Sequence, residues 1–257
     1  AALQPIAVPS RGIAKTIAEK LPILQQATYQ KRMVRAVYLS QEEVFARIAE
    51  SDVPPLMQES ARAYLAVLKK LRKADKEALI AAVLTQNKDV FAALCTQYEL
   101  NEGFIRSTIW RMIAALTPPQ LKEPEAWAPD PDRPKFRENY CPVCGRRPVI
   151  AELKKFREGR VRHLICGGCG TRWTYARVSC VYCGNTNLEK MHTLEPEHDD
   201  TMRLDICDVC DCYIKTYRGA GDGSAEDVIY RQDWASVHLD LLAEEKGLHK
   251  KGSPILE

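Results

Sequence analysis

Four Cys-x-x-Cys pairs constrain this chain more than any other feature of its sequence. Nine of its 10 cysteines lie between Cys141 and Cys212, and only Cys95 lies outside that stretch. A Cys-x-x-Cys turn brings two thiolates together, and two such turns joined by a hairpin supply the four ligands of a metal tetrahedron. The sequence therefore predicts two tetrathiolate metal sites, in preference to a disulfide framework or redox-active dithiols. The predicted ligands are Cys141, Cys144, Cys166, Cys169, Cys180, Cys183, Cys207 and Cys210.

The residue that follows each pair indicates a tight turn behind the second ligand. Glycine follows the first three pairs, at Gly145, Gly170 and Gly184. Glycine adopts a positive φ angle without steric cost, and such a turn needs that conformation. Asp211 follows the fourth pair and tolerates a positive φ less readily.

The cysteine-rich stretch contains an internal repeat of two small β units. In each unit a cysteine turn precedes a hairpin, a second cysteine turn and a third strand, which is the order of a rubredoxin-like or zinc-ribbon unit. The predicted strands are 149–153, 161–165 and 173–178 in the first unit, and 188–194, 202–206 and 213–217 in the second. A unit of this size buries too little apolar surface to fold alone, so metal binding would supply folding free energy.

Two assignments of the cysteine pairs to metal ions agree with their spacing. In the sequential assignment the first two pairs share one ion and the last two pairs share the other; in a cross-brace the first pair joins the third. The repeat of complete units favours the sequential assignment. Cys212 is left over, and we expect it to point away from the site. Four thiolates suit zinc and also iron, and a closed site of this kind does not activate water.

The first 117 residues carry helical signals and predict an all-α domain, 1–117, of five or six short helices. Apolar residues recur there at three- and four-residue spacing, and Asp75, Asn87 and Asn101 stand where helix N-caps are expected. Cys95 falls on one of the apolar stripes, which predicts a buried, inert thiol.

Other signals in this region set the expected helix boundaries. Residues 1–20 predict an extended or frayed lead. A helix is predicted from Pro22 to about Leu39, and Ser40 with Glu43 reads as a capping box that starts the next helix. A break is expected between Asp52 and Pro55.

Proline sets the boundary between the two parts of the chain. Six prolines between Pro118 and Pro134 predict an extended linker, 118–139, in which Trp127 and Phe136 would pin the segment onto one domain. The first β unit is then 140–178 and the second 179–218. Residues 219–257 are expected to hold a glycine-rich loop, a C-terminal helix and a polar tail. The helix is marked by Trp234, Val237, His238, Leu241 and Leu242, and Gly247 is its expected stop.

The fold class that follows is α+β: an N-terminal helical domain, two tandem rubredoxin-like or zinc-ribbon units, and a C-terminal helix. The formal net charge of +3 predicts no strong general attraction to nucleic acid. No run of about 18 apolar residues is present, so no membrane span is expected. A thiol-rich chain without a recognisable secretion signal is expected in the cytoplasm, where thiols stay reduced.

Four segments of the chain carry the motifs of one known family. They read CPVCGRRPVIAEL from Cys141, RHLICGGCGTRWTYARVSCVYCG from Arg162, LDICDVCDCYIKTY from Leu204 and DWASVHLDLLAEEKG from Asp233. Together with the helical domain and the proline-rich linker, they resemble the formate dehydrogenase accessory protein family, FdhE. The chain departs from that family at Asp211 and Cys212, where glycine and a small polar residue are more usual.

The resemblance implies a function and a set of partners. It implies a cytoplasmic maturation factor that is required for assembly or activation of formate dehydrogenase and contacts its catalytic subunit, without a small-molecule substrate of its own. The eight paired cysteines carry over as ligands of two ions per chain. The rubredoxin-like character of the family favours iron, with zinc as the alternative.

Two other functions remain open from the residues alone. One is a nucleic-acid-binding zinc ribbon, because residues 141–177 hold nine basic residues against Glu152 and Glu158, with Trp173 and Tyr175 among them. The other is an electron carrier that uses iron. No catalytic constellation is recognisable, so the sequence predicts no enzyme. The five histidines are scattered, at His163, His192, His198, His238 and His249.

Overall fold

Helices form the N-terminal part of the chain, and a β-sheet and a C-terminal helix follow. The computed structural model describes residues 3–128, 135–156, 159–197, 200–218 and 228–252. Its contacts divide the chain into two compact units: Ala1–Val8 with Ile23–Pro118, and Pro9–Pro22 with Pro119–Glu257. The predicted α+β class, with helices first and two four-cysteine groups in the sheet region, is confirmed.

Five helices build the first unit. They are α2 (Ala27–Glu50), α3 (Pro55–Leu68), α4 (Lys73–Thr85), α5 (Lys88–Gln97) and α6 (Glu102–Leu116), and a short helix, α1 (Ser10–Glu19), precedes them in the second unit. The core of the first unit is apolar. Its fully buried side chains include Met33, Phe45, Tyr64, Leu79, Ile109 and Ile113. Cys95 is buried as predicted, and burial raises its pKa to about 12, which keeps this thiol protonated.

The predicted interruption at Ser40 is wrong. Helix α2 continues through Ser40 without a break to Glu50. Its buried residues recur every four positions on both sides of that point, at Met33, Val37, Gln41, Phe45 and Ala49. Burial of this continuous stripe outweighs the local preference of Ser40 and Glu43 for a helix start.

The prediction of no helix in residues 1–20 is also wrong. Helix α1 lies there, and the compact division places it in the second unit, although the sequence analysis counted it with the helical domain. Its buried residues are Gly12 and Thr16. Ile13 and Ile17, one position further along, are partly buried, so the apolar stripe of α1 is only two residues long and too short for periodicity to reveal.

Of the four side-chain caps predicted from the sequence, those at Asn87 and Asn101 are present and those at Ser40 and Asp75 are not. Asn87 accepts a hydrogen bond from the backbone N–H of Val90 at 3.1 Å, and Asn101 accepts one from Phe104 at 2.9 Å, so both caps are confirmed. Asp75 is no cap, because α4 already begins at Lys73. Asp75 instead pairs with the Arg72 guanidinium at 2.9 Å.

The described part of the proline-rich segment is anchored to the second unit. Trp127 and Phe136 are both buried and their rings meet edge to face, with 6.3 Å between centroids. The Trp127 indole N–H donates to the carbonyl oxygen of Leu121 at 3.0 Å. The bonds that leave the segment lie on either side of these rings: the backbone N–H of Arg172 donates to the carbonyl oxygen of Lys122 at 2.8 Å, and the Trp173 indole donates to that of Glu138 at 2.9 Å. Pinning by the two rings themselves stays a prediction. Pro129, Pro131 and Pro134 lie outside the described residues.

Both β units contribute to one sheet. Its strands are β1 (Pro148–Phe156), β2 (Gly159–Cys166), β3 (Arg172–Tyr175), β4 (Met191–Leu194), β5 (Met202–Cys207), β6 (Cys212–Tyr217) and β7 (His249–Lys250). Each unit is an antiparallel three-stranded sheet, and the order is β3-β2-β1-β6-β5-β4. The two β units meet where Ile150 of β1 pairs with Lys215 of β6 in parallel. The sequence did not indicate this pairing.

The C-terminal region packs onto β6. A π-helical turn, Val228–Asp233, leads to helix α7 (Val237–Glu245), and Gly247 ends it with a φ of 72°, as predicted. Leu239 and Ala243 are buried, whereas Trp234, Val237 and Leu241 are more than half exposed. Strand β7 then pairs with β6 in parallel. The glycine-rich loop expected at the start of residues 219–257 lies outside the described residues, as do His198 and Asp199.

Within the described residues, no helix combines the length and the apolar composition needed to cross a bilayer.

Candidate metal centres

The four cysteine pairs form turns of one geometry. Three of the turns close by a backbone hydrogen bond from the following glycine to the first cysteine: Gly145 to Cys141 at 2.9 Å, Gly170 to Cys166 at 3.1 Å and Gly184 to Cys180 at 3.0 Å. These glycines have φ angles of 80°, 73° and 75°, as predicted. Asp211 takes the equivalent position with a φ of 51°, so the fourth turn forms without glycine.

A second hydrogen bond fixes each of the first three turns. The N–H of the leading cysteine donates to the residue after the glycine: to Arg146 at 2.7 Å, to Thr171 at 2.9 Å and to Asn185 at 2.8 Å. The turn thus places the Sγ atoms of both its cysteines on one side of the backbone.

The first group of thiols is buried. The Sγ atoms of Cys141 and Cys169 are 3.4 Å apart, as are those of Cys144 and Cys166. All four atoms lie within 4.8 Å of one another. Each of these residues is at most 1% exposed. A metal ion bound here would be shielded from bulk water by the four buried cysteines.

The second group has the same pattern but is more open. The Sγ atoms of Cys180 and Cys210 are 3.7 Å apart, as are those of Cys183 and Cys207. Cys183 is exposed and Cys210 is partly exposed. Both groups combine neighbouring pairs, so the sequential assignment is the one present and the cross-brace is not.

The distances suit a metal ion and not disulfides. A tetrahedron with metal–sulfur bonds of about 2.3 Å has sulfur atoms about 3.8 Å apart, and a disulfide needs about 2.05 Å. The observed 3.4–3.7 Å is close to the first value and far from the second. Four sulfur donors suit zinc or iron, so this donor set accepts either ion.

Backbone N–H groups point at the sulfur atoms. Val143 donates to the Cys141 sulfur at 3.4 Å, Gly168 to the Cys166 sulfur at 3.3 Å and Tyr182 to the Cys180 sulfur at 3.4 Å. Such donors stabilise negative charge on thiolates, which a tetrathiolate centre of a divalent ion carries in excess.

Side chains outside the pairs also contact the sulfur atoms. The Thr171 hydroxyl lies 3.1 Å from the Cys169 sulfur, and the Asn185 amide lies 3.6 Å from the Cys207 sulfur. The sequence analysis missed both residues. Each directly follows the glycine of its turn, and this fixed position is the signal that could have found them.

The thiols of the first group differ in their tendency to ionise in the absence of a cation. Hydrogen bonds from the other three thiols outweigh burial at Cys166 and hold its pKa well below the usual value. Burial raises the pKa of Cys141 and of Cys144 well above that value. A metal ion must displace the protons from these thiols to bind, so binding at this site is coupled to proton release.

Cys212 is not part of either group. It is buried, lies opposite Cys207 in the pairing of β5 and β6, and its thiol donates to the carbonyl oxygen of Cys210 at 3.0 Å. The second group already has four sulfur donors, from Cys180, Cys183, Cys207 and Cys210.

The basic residues of 141–177 do not form one solvent-facing patch. Arg146, Arg162 and Arg172 are only 2–3% exposed. Arg162 pairs with Asp205 at 3.0 Å, and Arg172 pairs with Glu152 at 3.1 Å. Trp173 is fully buried and is closed to base stacking. Arg157 and Glu158 lie outside the described residues.

The described histidines do not join a metal group. His192 pairs with Asp208 at 2.6 Å on the surface. His163 lies in the sheet, where burial, with smaller contributions from Arg172 and Lys154, lowers its pKa to about 4. Among the described residues, the two cysteine groups are the ones with metal-binding geometry.

Comparison with known proteins finds a matching domain model for each of the two cysteine groups. Residues 140–177 match the model of the FdhE central domain, and residues 178–256 match that of the FdhE C-terminal domain. The boundary between the two models falls between the two cysteine groups.

Individual relatives agree. A protein named FdhE homolog from Aquifex aeolicus (strain VF5) is 35% identical over 125 residues, which is 46% of this chain and 44% of that protein. Protein FdhE from Salmonella choleraesuis (strain SC-B67) is 26% identical over 209 residues, 81% of this chain and 64% of that protein. The chain therefore spans less than two thirds of the length of these curated relatives.

A solved structure shares the fold. The crystal structure of the FdhE protein from Pseudomonas aeruginosa superposes with a TM-score of 0.62 at 19% identity, covering 98% of this chain and 81% of that one.

Proposed function

Because this chain belongs to the FdhE family, we propose that it is an accessory factor in the formation of formate dehydrogenase. In this role it binds the catalytic subunit of that enzyme in the cytoplasm during maturation and catalyses no reaction itself. The observation that carries the proposal is the match of residues 140–256 to the two FdhE domain models, with both four-cysteine groups inside the match.

The eight paired cysteines hold two metal ions in this proposal. Two neighbouring pairs supply each ion with four sulfur donors at suitable distances. Bound ions would fix the shape of the cysteine turns and would thereby hold the hairpins in the conformation that binds the catalytic subunit. Each centre is closed by four protein ligands, so neither ion offers a position at which a substrate could be activated. Iron is favoured by the rubredoxin-like character of the family, and zinc is the alternative.

Nucleic-acid binding is the weaker alternative. It needs accessible cations and stacking platforms, whereas Arg146, Arg162, Arg172 and Trp173 are buried. A filter-binding assay should give weak retention that is lost near physiological salt. Sequence-selective retention at that salt concentration would instead favour the alternative.

The test uses a bacterial host whose own gene of this family is deleted. The chain should restore formate oxidation, and the catalytic subunit should co-purify with it under reducing conditions. Replacement of Cys141 and Cys144 by serine removes half of the first ligand set and should reduce both readouts, because serine is a poor ligand at a thiolate site. Cys212→Ser is the matched control, since it changes a buried cysteine of the same sheet outside both groups.

Two results would contradict the proposal. One is formate oxidation in the host that is unaffected by deletion of its own gene or is not restored by this chain. The other is the absence of a complex with the catalytic subunit under any reducing condition. A zinc-loaded preparation distinguishes two versions of it. If the ions act as scaffolds, the zinc form restores activity; if iron must change its oxidation state, the zinc form binds the client and restores nothing.

A further inference from the structure

The two cysteine groups differ in access to solvent. In the first group every ligand residue is buried, whereas in the second Cys183 is exposed. A chelator in solution can approach the second site directly. It can reach the first site only after part of the surrounding structure opens.

Tyr182 links the turn of the second site to residues on both sides of the first turn. It lies between Cys180 and Cys183 and is buried. Its carbonyl oxygen accepts a hydrogen bond from the Asn139 side chain at 3.2 Å. Its hydroxyl group is 3.3 Å from the carbonyl oxygen of Pro148. Asn139 and Pro148 flank the first turn, so one residue of the second turn contacts both ends of the first.

The C-terminal strap, residues 248–252, completes this connection. The Tyr182 hydroxyl donates to the carbonyl oxygen of Lys251 at 2.9 Å. The backbone N–H of His249 donates to the carbonyl oxygen of Asp211, directly after the second group, at 2.7 Å. The strap is therefore bonded to two turns of the second site.

The same strap passes tightly over the first site. A Cβ atom at Gly252 would lie 2.1 Å from the carbonyl oxygen of Pro148, and one at Gly167 would lie 3.0 Å from the carbonyl oxygen of Gly252. Gly167 belongs to the turn between Cys166 and Cys169. Glycine is required at Gly252 in addition because its φ is 87°.

We infer that Tyr182 and the strap couple the two metal sites, so that occupation of either site strengthens metal binding at the other. The inference rests on the metal occupancy proposed above. When the second ion leaves, the turn of Cys180 and Cys183 loses its fixed shape, and the hydrogen bond from the Tyr182 hydroxyl to Lys251 and its contact with Pro148 are lost with it. The turn of the first site then loses support on both flanks. Linkage makes the effect reciprocal for binding.

The test measures metal release from the full-length, zinc-loaded protein under reducing conditions, with a chromogenic chelator in excess. We expect a fast phase from the exposed site and a slow phase from the buried one. Tyr182→Phe removes the hydroxyl and keeps the ring. The fast phase is the one that reports the coupling, because the second ion leaves while the first site is still occupied. Tyr182→Phe should accelerate the fast phase about five-fold, which corresponds to the loss of one buried hydrogen bond.

Two further variants separate coupling from a general loss of stability. In a protein whose first site is removed by Cys141→Ser and Cys144→Ser, the fast phase should already be accelerated, and addition of Tyr182→Phe should change it little. Tyr140→Phe is the matched control: Tyr140 adjoins Cys141, but its hydroxyl donates to the carbonyl oxygen of Lys20 at 2.8 Å and not to the second turn. Its fast phase should match that of the unchanged protein.

A second measurement does not depend on the serine variants folding. Native mass spectrometry at limiting chelator counts proteins with two, one and no ions. Coupling suppresses the one-ion form, and Tyr182→Phe should increase it.

Equal fast phases in the unchanged protein and in Tyr182→Phe would overturn the inference. Equal acceleration by Tyr182→Phe with and without the first site would also overturn it, because the residue would then act on the second site alone. Two tightly bound ions that leave independently would refute the coupling and preserve the metal sites. Fewer than two tightly bound ions would refute both.

Discussion

The Lys215 ammonium group donates to the carboxylate of Asp240 at 2.6 Å, and this contact ties the central strand β6 to helix α7. Lys215 is completely buried and also pairs with Asp233 at 2.8 Å. The second carboxylate offsets the cost of removing a lysine from water, and Lys250 joins the cluster through Asp233 at 2.7 Å. The C-terminal helix is thus held to the sheet by buried charge, while Trp234, Val237 and Leu241 face outward.

Replacement of Lys215 by methionine should destabilise the second unit by about 3 kcal/mol or more, because it leaves buried carboxylates without their main cation. Lys250→Met should cost less, about 1 kcal/mol, since Lys250 is nearer the surface. Denaturant unfolding of the metal-loaded protein, followed by circular dichroism, measures both. A smaller loss for Lys215→Met than for Lys250→Met would contradict this account of the cluster.

Each chain should bind two metal ions, one for each group of four cysteines. Elemental analysis of protein purified without oxygen should give about two equivalents of zinc and iron combined. The Cys141→Ser, Cys144→Ser protein should retain about one. Cys212→Ser should retain two, and a value near one for the unchanged, fully folded chain would contradict the expectation.

Removal of metal should affect the two compact units differently. The core of Ile23–Pro118 uses no metal ligand, whereas the turns in residues 141–217 rest on the cysteine groups. After chelation, limited proteolysis should cut first within 141–217 and spare 23–118, with mass spectrometry locating the cuts. Simultaneous digestion of both units would show that they unfold as one cooperative system.

Acid should lower the unfolding free energy of the second compact unit, because protonation of His163 favours the unfolded state. Its pKa of about 4 in the folded protein lies below the ordinary value of 6.5, chiefly because of burial. A depressed folded-state pKa gives stability that is complete above the unfolded value and is lost as the pH falls towards the folded value. Between pH 7.5 and pH 6.0 the unchanged protein should therefore lose about 0.8 kcal/mol more of its unfolding free energy than His163→Gln does.

Denaturant titrations of the metal-loaded protein at those two pH values provide the measurement. The interval avoids the more acidic range in which protonation of the thiolates would itself release metal. Identical pH dependence in both proteins would show that His163 has the same pKa in the folded and the unfolded protein, which would contradict this prediction.

The features that could be predicted from the sequence are the local ones. Asn87 and Asn101 act on backbone groups three residues away, and Gly145, Gly170 and Gly184 each close a turn within five residues. The cysteine pairs belong to the same class, and the repeat of their units also indicated which pairs combine. A short signal suffices wherever the physical interaction is itself short in range.

The features that could not be predicted depend on distant parts of the chain. Ser40 carries a helix-start signal that the buried stripe of α2 overrides. Helix α1 buries Gly12 and Thr16, and its apolar pattern is limited to Ile13 and Ile17. Lys215 reads as a solvent-facing residue in a strand, and only its two carboxylate partners explain why it is buried. Tyr182 likewise gains its role from Pro148 and Lys251.

The parallel pairing of β1 with β6 has a consequence for the order in which the chain can be assembled. Residues 150–152 hydrogen-bond with residues 215–217, and the whole second hairpin is synthesised between them. Until β6 has left the ribosome, the edge of β1 therefore remains open, even when the first β unit, residues 140–178, has already bound its ion. An open strand edge is a template for pairing with other chains. Synthesis of the segment between β3 and β6 is thus the interval in which a nascent chain of this kind is most exposed to aggregation.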